Sequence, residues 1–539
     1  EFHKLRPEVP IWVGGPEVSY ETESFLRCHP QITGVMIGEG EKTFCELAEY
    51  YAGESRRDKE TEEKQRIQET QRTGESKCTK ERSKLGEITG IAYQNGDEII
   101  FTAPREMLDL SDIPFCYDKA GDFKNRIIYY ESSRGCPFSC SYCLSSVEKQ
   151  LRFRNTELVK KELQFFIDRE VPQVKFVDRT FNCNHAHAME IWSYIKEHDN
   201  GITNFHFEIS ADLLKEEELA LIGTMRPGLI QLEIGVQSTN GATIKEIHRT
   251  MQLERLKEVV REVQKHENIH EHLDLIAGLP FEDYDTFAKS FDEIYELRPN
   301  QLQLGFLKVL KGSYMYEHAK EYEITYHSRP PYEVLKTKWL PYDDVLKIRQ
   351  VEEMLEVYYN SGQFEVTMKV LGVLFKSAFF LFQDLGKFYE KKGYFGMSHA
   401  RIRRSEILLE FVEEIFSADT EKENLQEVQN LCEISDIIKE SLIFDLYYRE
   451  NCKSRPAWAK DLSTWKQVTR IYCKNGKQSH VECFSYRFPD KGERVLKELP
   501  ERAEKPLYAL FDYTDRDPLD HQAKVTWITE DKNAGLCSN

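Results

Sequence analysis

Ser133-Arg134-Gly135-Cys136-Pro137-Phe138-Ser139-Cys140-Ser141-Tyr142-Cys143 places three cysteines at i, i+4 and i+7 within one short polar stretch. Thiolates at this density call for a metal. Three of them in a loop can hold three irons of a four-iron, four-sulfur cluster and leave the fourth iron open for chemistry. The other reading is a structural zinc site, which needs a fourth protein ligand at short spacing; Cys183, His185 and His187 are the nearest candidates.

Working outward, an apolar, β-branched run at 127–130 precedes the cysteines, and five more follow at 174–177, 205–209, 229–236, 272–277 and 301–309. Amphipathic helices separate them: Val159, Leu163, Phe166 and Ile167 share one face, as do Leu253, Leu256, Val259, Val260 and Val263. Strand then helix, repeated, implies parallel strands with right-handed crossovers. Six such units without a dinucleotide fingerprint favour a partial barrel, and the cysteine loop then lies at the carboxyl mouth, where barrel enzymes keep their active sites.

The flanks differ in character. Residues 1–52 carry two short runs, 11–13 and 35–37, that stop at Gly14-Gly15-Pro16 and at Gly38-Glu39-Gly40-Glu41. With a helix at 42–51 presenting Phe44, Leu47 and Ala48, they read as the later half of a doubly wound α/β domain, or as simple tight turns. Residues 53–87 form a charged insertion, solvated or helical, whose stretch 53–84 has almost no apolar residue. Residues 88–124 comprise a hairpin, 88–93 and 98–101 turning at Asn95-Gly96, and a linker. The barrel spans 125–315, and 316–539 is an extension, helical from 342 to about 450 and then β-rich, with a hairpin expected from 468–473 and 481–486 around Asn475-Gly476.

Composition narrows the class. At 539 residues two or three domains are expected, and 40% hydrophobic with 12% aromatic residues fits a folded chain. A net charge of -19 disfavours a broad nucleic-acid footprint. Thirteen cysteines without dense, even spacing point to a reducing cytoplasm. No secretory signal opens the chain, and the apolar stretch 364–382 is broken by Glu365, Lys369 and Lys376, so no membrane association is expected. The chain opens on Glu1 rather than Met, as a fragment or a trimmed product does.

The cysteine spacing, with Tyr142 before the last thiol, resembles the signature of the radical S-adenosylmethionine (SAM) superfamily. Further motifs arrive in order. Asp178 to Asn182 follows the second strand, with Asp-Arg-Thr where that family commonly has Gly-Gly-Glu; Glu208 ends the third strand and Gly235-Val236-Gln237-Ser238 the fourth. His248-Arg249 is read as opening the next helix, and 274–280 as the fifth strand with its Gly278-Leu279-Pro280 turn. These resemble the oxygen-independent coproporphyrinogen oxidase and methylthiotransferase branches over about 125–312.

The resemblance implies a partial TIM-like (β/α)6 barrel, a [4Fe-4S] cluster on Cys136, Cys140 and Cys143, and SAM chelating the open iron. Arg249 and Gln237 then suit the SAM carboxylate, Glu208 the ammonium, Asp274 the ribose and Gly278 the adenine, with Tyr142 and Asp178 in the same site. The plain alternative is a structural Glu208–Arg249 ion pair and Asp274 as a strand-end cap. Gly14, Gly15 and Glu39 resemble the end of a Rossmann-like cobalamin-binding domain whose first half lies outside this chain, and cobalamin is the implied third cofactor. The carboxyl region resembles an uncharacterised helical extension of some bacterial B12-type members.

The expected function is reductive cleavage of SAM to a 5′-deoxyadenosyl radical, for cobalamin-dependent methyl transfer to an unactivated carbon or phosphorus centre. Two other readings are radical chemistry without methyl transfer, as in ring formation or oxidative decarboxylation, and a non-catalytic iron-sulfur electron-transfer protein. The expected partners are SAM, a substrate of unread identity and an external electron donor such as flavodoxin or ferredoxin.

Overall fold

The computed structural model describes residues 1–65, 85–119, 121, 123–416, 431–473, 478–489 and 493–528. Its centre is a six-stranded parallel sheet of β5 (Ile127–Tyr130), β8 (Gln173–Phe176), β9 (Asn204–Ile209), β10 (Ile230–Gln237), β11 (His270–Ala277) and β12 (Gln301–Phe306). The strands pair in the sequential order β12-β11-β10-β9-β8-β5, with no point at which the order reverses, as a partial barrel requires and a doubly wound sheet forbids. All six expected strands are present, their ends moved by at most three residues.

The helices cover the outer face. Asn155 caps Thr156–Asp168 by accepting from Glu157 N and Leu158 N, and that helix buries Val159, Leu163, Phe166 and Ile167. Leu253–Gln264 buries Leu256, Val259, Val260 and Val263 against the same core. Each fully buried side chain of this size contributes roughly 1.5–3 kcal/mol. The inner face is different. Along β10, Ile230, Leu232, Ile234 and Val236 are buried outward while Gln231, Glu233, Gly235 and Gln237 alternate with them. The register sets Glu233 beside Glu208 on β9 and beside His272 on β11. A closed barrel fills this space with apolar layers; here Lys175, His206, Glu208, Glu233, His272 and Asp274 occupy it.

At the amino end, β1 (Trp12–Gly14) and β2 (Gly34–Met36) are parallel, and the hairpin of β3 (Ile91–Asn95) and β4 (Glu98–Phe101) pairs onto β2, so one four-stranded sheet uses both expected segments. The following helix runs Gly40–Gln65, longer than expected. It buries Thr43 and Leu47, whereas Phe44 is 62% exposed and Ala48 is exposed, because the sheet lies on the other side. Residues 66–84 of the charged stretch lie outside the described residues.

Beyond the barrel, β13 (Thr325–Tyr326) pairs with β14 (Val334–Lys336), and helices follow from Tyr342 to Arg449 as expected. The apolar stretch at 364–382 is two helices, Glu365–Leu374 and Ala378–Lys392; Ser377 caps the second through Phe380 N. No described helix is long and apolar enough to cross a membrane. The expected strand at 468–473 is wrong. Lys466–Tyr472 is helical, and Trp465, Val468 and Tyr472, spaced three and four apart, pack on Val481. Its presumed partner, β15 (Ser479–Tyr486), pairs with β16 (Arg502–Asp512), which pairs with β17 (Lys524–Ile528). The expected turn at 475–476 lies outside the described residues.

Candidate functional site

The cysteine loop is held before it begins. Asp178, two residues past β8, is fully buried and accepts from Ser132 N (3.0 Å), Ser132 Oγ (2.7 Å) and Ser133 Oγ (2.6 Å). Burial pushes its carboxyl up to about 6 against those hydrogen bonds. His187 Nε2 meets Ser132 Oγ at 3.0 Å, and burial pushes this imidazole down to about 4, so it is neutral at pH 7. Asp178 therefore stands behind the loop, while Arg179 and Thr180 face the cavity.

β6 (Ser133–Arg134) pairs with β7 (Arg152–Phe153) and closes 135–151 into a loop. Gly135 has a φ of +96°, and a Cβ there would meet the Gln150 carbonyl oxygen at 2.4 Å, so only glycine fits. Deeper anchors come from the barrel: Ser141 N donates to Ile247 O at 2.9 Å, and Met315 N donates to Ser141 O at 2.9 Å.

Cys136 and Cys140 are buried and Cys143 is half-buried; no described cysteine is bridged. Among the described residues, the three thiol sulfurs do not all lie within 4.8 Å of one another. One tetrahedral zinc ion, with bonds of about 2.3 Å, holds its sulfurs about 3.8 Å apart. A cubane instead takes one thiolate at each of three corners. Two of the expected alternative ligands are engaged elsewhere, His185 with Glu217 and Glu218 and His187 with Ser132, while Cys183 is a free thiol pushed up to about 11 by burial and then by nearby Cys136. Burial pushes the Cys140 thiol up, with Arg249 opposing it, so an ionised sulfur there needs a cationic partner.

The thiols open onto a cavity of about 180 Å³ at the carboxyl ends of β9, β10 and β11. Glu208, Gln237, Arg249, Asp274 and Tyr142 all line it, as expected from their strand-end positions. Arg249 lies in the loop between the helices Gly241–Glu246 and Leu253–Gln264, four residues before the helix it was expected to open. It donates to Tyr142 Oη (3.2 Å), to Cys140 Sγ (3.9 Å) and to Gly235 O, and its Nε is buried without a hydrogen-bond partner. It pairs with the loop rather than with Glu208, which removes the structural ion-pair reading. Gln237 has a φ of +74° at a register shift in β10, and its Oε1 is likewise buried without a partner. Gly235 permits this, since a Cβ there would meet Gln237 Nε2 at 2.4 Å.

Two carboxylates side by side are driven apart. His206 (2.9 Å) and Lys175 (2.8 Å) meet Glu233 Oε2 and hold Glu233 down to about 2. Burial, then the Glu233 charge, pushes Glu208 up to about 7. Below them His272 Nε2 meets Asp274 Oδ1 at 3.1 Å, and burial raises Asp274. The ligand atoms of Glu233, His272 and Asp274 cluster within 4.8 Å, where the Lys175 ammonium on Glu233 already supplies the positive charge. Sequence reasoning missed Lys175, His206, Glu233 and His272; their alternation with buried apolar residues was the available signal.

The remaining expected residues lie elsewhere. Gly278 packs against the Val334 side chain. Gly14 ends β1 and Gly15 is the N-cap of the short helix Pro16–Ser19, whose Glu17 accepts from Tyr332 Oη and lies 3.5 Å from Lys311 Nζ. Glu39 is committed to Arg134 (2.7 Å) and Arg152 (2.7 Å) and accepts from Leu108 N (2.9 Å). Burial opposes its ionisation, yet these partners hold it down to about 2. Arg134 also meets Glu41 and Glu131, so this network ties the amino-terminal sheet to the strand that opens the cysteine loop.

Residues 130–294 match the model of the radical SAM superfamily, and residues 320–494 match that of a protein family of unknown function, DUF4080. An uncharacterized methyltransferase, PH0819, of Pyrococcus horikoshii is 23% identical over 387 residues, covering 68% of this chain and 74% of that protein. The cobalamin-dependent radical SAM methyltransferase TokK of Streptomyces tokunonensis is 25% identical over 325 residues, covering 54% of this chain and only 41% of that protein. Among solved structures, the cobalamin-dependent SAM radical enzyme OxsB, with aqua-cobalamin and SAM bound, superposes with a TM-score of 0.48 at 15% identity, covering 83% of this chain and 68% of that one.

Proposed function

Starting from a chain that carries a radical SAM domain over residues 130–294, we propose that it reductively cleaves SAM at the cavity beneath Cys136, Cys140 and Cys143 and uses the product radical for methyl transfer. The observation that carries the proposal is the convergence of three thiols on a cavity with two buried, unpartnered polar atoms, Gln237 Oε1 and Arg249 Nε. Orphaned polar atoms of this kind cost free energy unless a ligand meets them.

The three cysteines would hold the [4Fe-4S] cluster. A bound cluster and SAM supply one-electron cleavage to methionine and a 5′-deoxyadenosyl radical, the electron coming from an external donor such as flavodoxin or ferredoxin. The chain's own residues bind and orient. Arg249 is fixed by Tyr142 and Gly235 and turns its remaining donor to the SAM carboxylate, with Gln237 beside it. Glu208 changes charge near pH 7 and accepts from the SAM amine. Asp274 accepts from the ribose. Asp178 positions the loop through Ser132 and Ser133 without touching SAM.

Methyl transfer is supported by the names of the sequence relatives. For cobalamin the strand-end residues give a weaker fit. Glu39 is spent on Arg134 and Arg152, and among the described residues no buried unpartnered polar atom lies at Gly14, Gly15 or Glu39. No step is therefore derived through cobalamin.

The test is anaerobic reconstitution with iron and sulfide, with and without cobalamin, followed by reduction in the presence of SAM and product analysis. 5′-Deoxyadenosine together with S-adenosylhomocysteine supports methyl transfer, and 5′-deoxyadenosine alone supports radical chemistry without it. Neither product from a cluster-loaded sample would sink both. Cys140→Ala should keep the fold and lose both cluster and products.

A further inference from the structure

A second cavity, of about 290 Å³, lies at the opposite end of the barrel, where Glu267, His270, Pro299 and Asn300 precede or begin β11 and β12. A π-helical turn, Glu356–Asn360, supplies Tyr358, Tyr359 and Asn360 as one wall. Such turns widen a helix by one residue and recur at functional sites. The carboxyl-terminal segment closes the other side with Arg494 and with 519–522.

The lining is unusual for a chain of net charge -19. Arg298, Lys369, Arg449 and Arg494 converge on it, against Glu267, Glu365 and Asp520. Lys369, buried, pairs with Glu365 at 2.9 Å. Arg449 donates to the Asp520 carbonyl oxygen. Among the described residues Lys369 is the one of the four that forms an ion pair; Arg298, Arg449 and Arg494 form none, although carboxyls lie near two of them, Glu296 by Arg298 and Glu271 by Arg494. Arg298 stacks on Tyr295, 4.4 Å from the ring centroid, with its Nε buried and unbonded, and Arg494 donates to the Arg298 carbonyl oxygen at 3.1 Å. Two further buried polar atoms on the wall, His270 Nδ1 and Gln522 Oε1, also have no hydrogen-bond partner, and Gln522 is only 3% exposed.

Guanidinium forks match phosphate oxygens bidentately, and neither fork is spent on a carboxylate among the described residues. Four cations against three carboxylates leave the lining with one net positive charge, with the guanidinium forks of Arg298 and Arg494 turned to one cavity. We propose that this cavity binds the phosphate group of a small ligand, with Arg298 and Arg494 as its anchors. Its size accommodates a small molecule. The tyrosine and proline walls offer apolar surface to an organic part, so a phosphate monoester and free phosphate are the two sources of the same chemistry. The site faces away from the cysteine loop and does not depend on the reaction proposed there.

The test is isothermal titration of the 539-residue chain at constant ionic strength with inorganic phosphate and, separately, with ribose 5-phosphate. Saturable binding to one site is expected, weakened at least about tenfold in both Arg298→Gln and Arg494→Gln and unchanged in Lys347→Gln on the exposed helix surface. Tighter binding of the monoester assigns an organic phosphate, and equal binding assigns free phosphate. Should Arg298→Gln fail to fold, Arg494→Gln and Arg298→Lys carry the test, the latter keeping charge without the fork and expected to bind more weakly than the parent. No saturable heat with either compound up to about 10 mM, or unchanged affinity in the arginine variants that fold, overturns the proposal. SAM cleavage by Arg494→Gln should match the parent, so failure of this site and failure of the radical chemistry are read separately.

Discussion

Replacing Glu208 by Gln tests the site at the group whose charge is most finely balanced. Its carboxyl is pushed up to about 7 by burial and by the neighbouring Glu233. If its carboxylate form receives the SAM amine, a proton must leave before SAM binds well. The apparent Kd then scales as one plus the protonated-to-ionised ratio, about 11 at pH 6, about 2 at pH 7 and close to 1 at pH 8. In Glu208→Gln the charge-assisted hydrogen bond is gone, costing roughly 1.5–3 kcal/mol, or about 10- to 150-fold in Kd at pH 8. At pH 6 that gap should narrow by about tenfold, because the parent has already lost most of its carboxylate. Anaerobic calorimetric titration of the cluster-loaded protein with SAM reads both numbers. The ligand's own amine ionises near pH 8 in both experiments and cancels in the ratio.

Stability supplies the internal control. A carboxyl raised from 4.5 to about 7 on folding costs nothing below pH 4.5 and costs progressively more as pH rises to 7. Glu208→Gln should therefore unfold at a higher temperature at pH 8 and at the parent's temperature near pH 4.5. A weaker binder that is also more stable cannot be a misfolded one. An equal variant-to-parent Kd ratio at pH 6 and pH 8 would refute the reasoning.

Other perturbations follow from the same geometry. Asp178→Ala strands Ser132 N in the interior at a cost of roughly 1–3 kcal/mol and loosens the loop entrance, so iron and sulfide loading should fall several-fold. Asp178→Asn keeps the size and one acceptor and should recover part of that loading, and equal loading in all three proteins would remove Asp178 from the positioning role. Glu39→Gln weakens the Arg134 and Arg152 network. Because Glu39 is held at about 2, below its ordinary 4.5, its contribution of about 2 kcal/mol is complete above pH 4.5 and shrinks as pH falls toward 2. Thermal melts of variant and parent should converge on acidification, and a constant gap would contradict this. Glu271 is fully buried with both carboxylate oxygens unpartnered and is pushed up to about 8 by burial. Glu271→Gln should raise the melting temperature at pH 9 and leave it unchanged near pH 4.5; an equal effect at both values would show that its ionisation is not involved.

The barrel strands were legible because each carries outward apolar residues that nothing but a helix-covered sheet would bury. The strand-end polar residues Glu208, Gln237 and Asp274 were legible through the resemblance of their ordered motifs to the radical SAM family, and the fold brings all three to one cavity. The inner polar layer was not read, although Gln231, Glu233, Gly235 and Gln237 alternate strictly with Ile230, Leu232, Ile234 and Val236. An apolar count over 229–236 hides that period. Asp178 was assigned to the cofactor because its position along the chain is right; only the fold shows that its carboxylate turns back to Ser132 and Ser133. The 466–472 segment failed for want of tertiary context, since its β-branched Val468, Thr469 and Ile471 favour a strand until Trp465, Val468 and Tyr472 find one shared face. Glu39 and its two arginines are 95 and 113 residues apart, a pairing that no local pattern announces.

The central claim is that Cys136, Cys140 and Cys143 hold three irons of a four-iron cluster and leave the fourth for SAM. Mössbauer spectroscopy of the iron-57-reconstituted protein, recorded before and after adding SAM, tests it directly. The account predicts that one iron in four changes its isomer shift when SAM is added to the parent protein. Four irons unaffected by saturating SAM would contradict it.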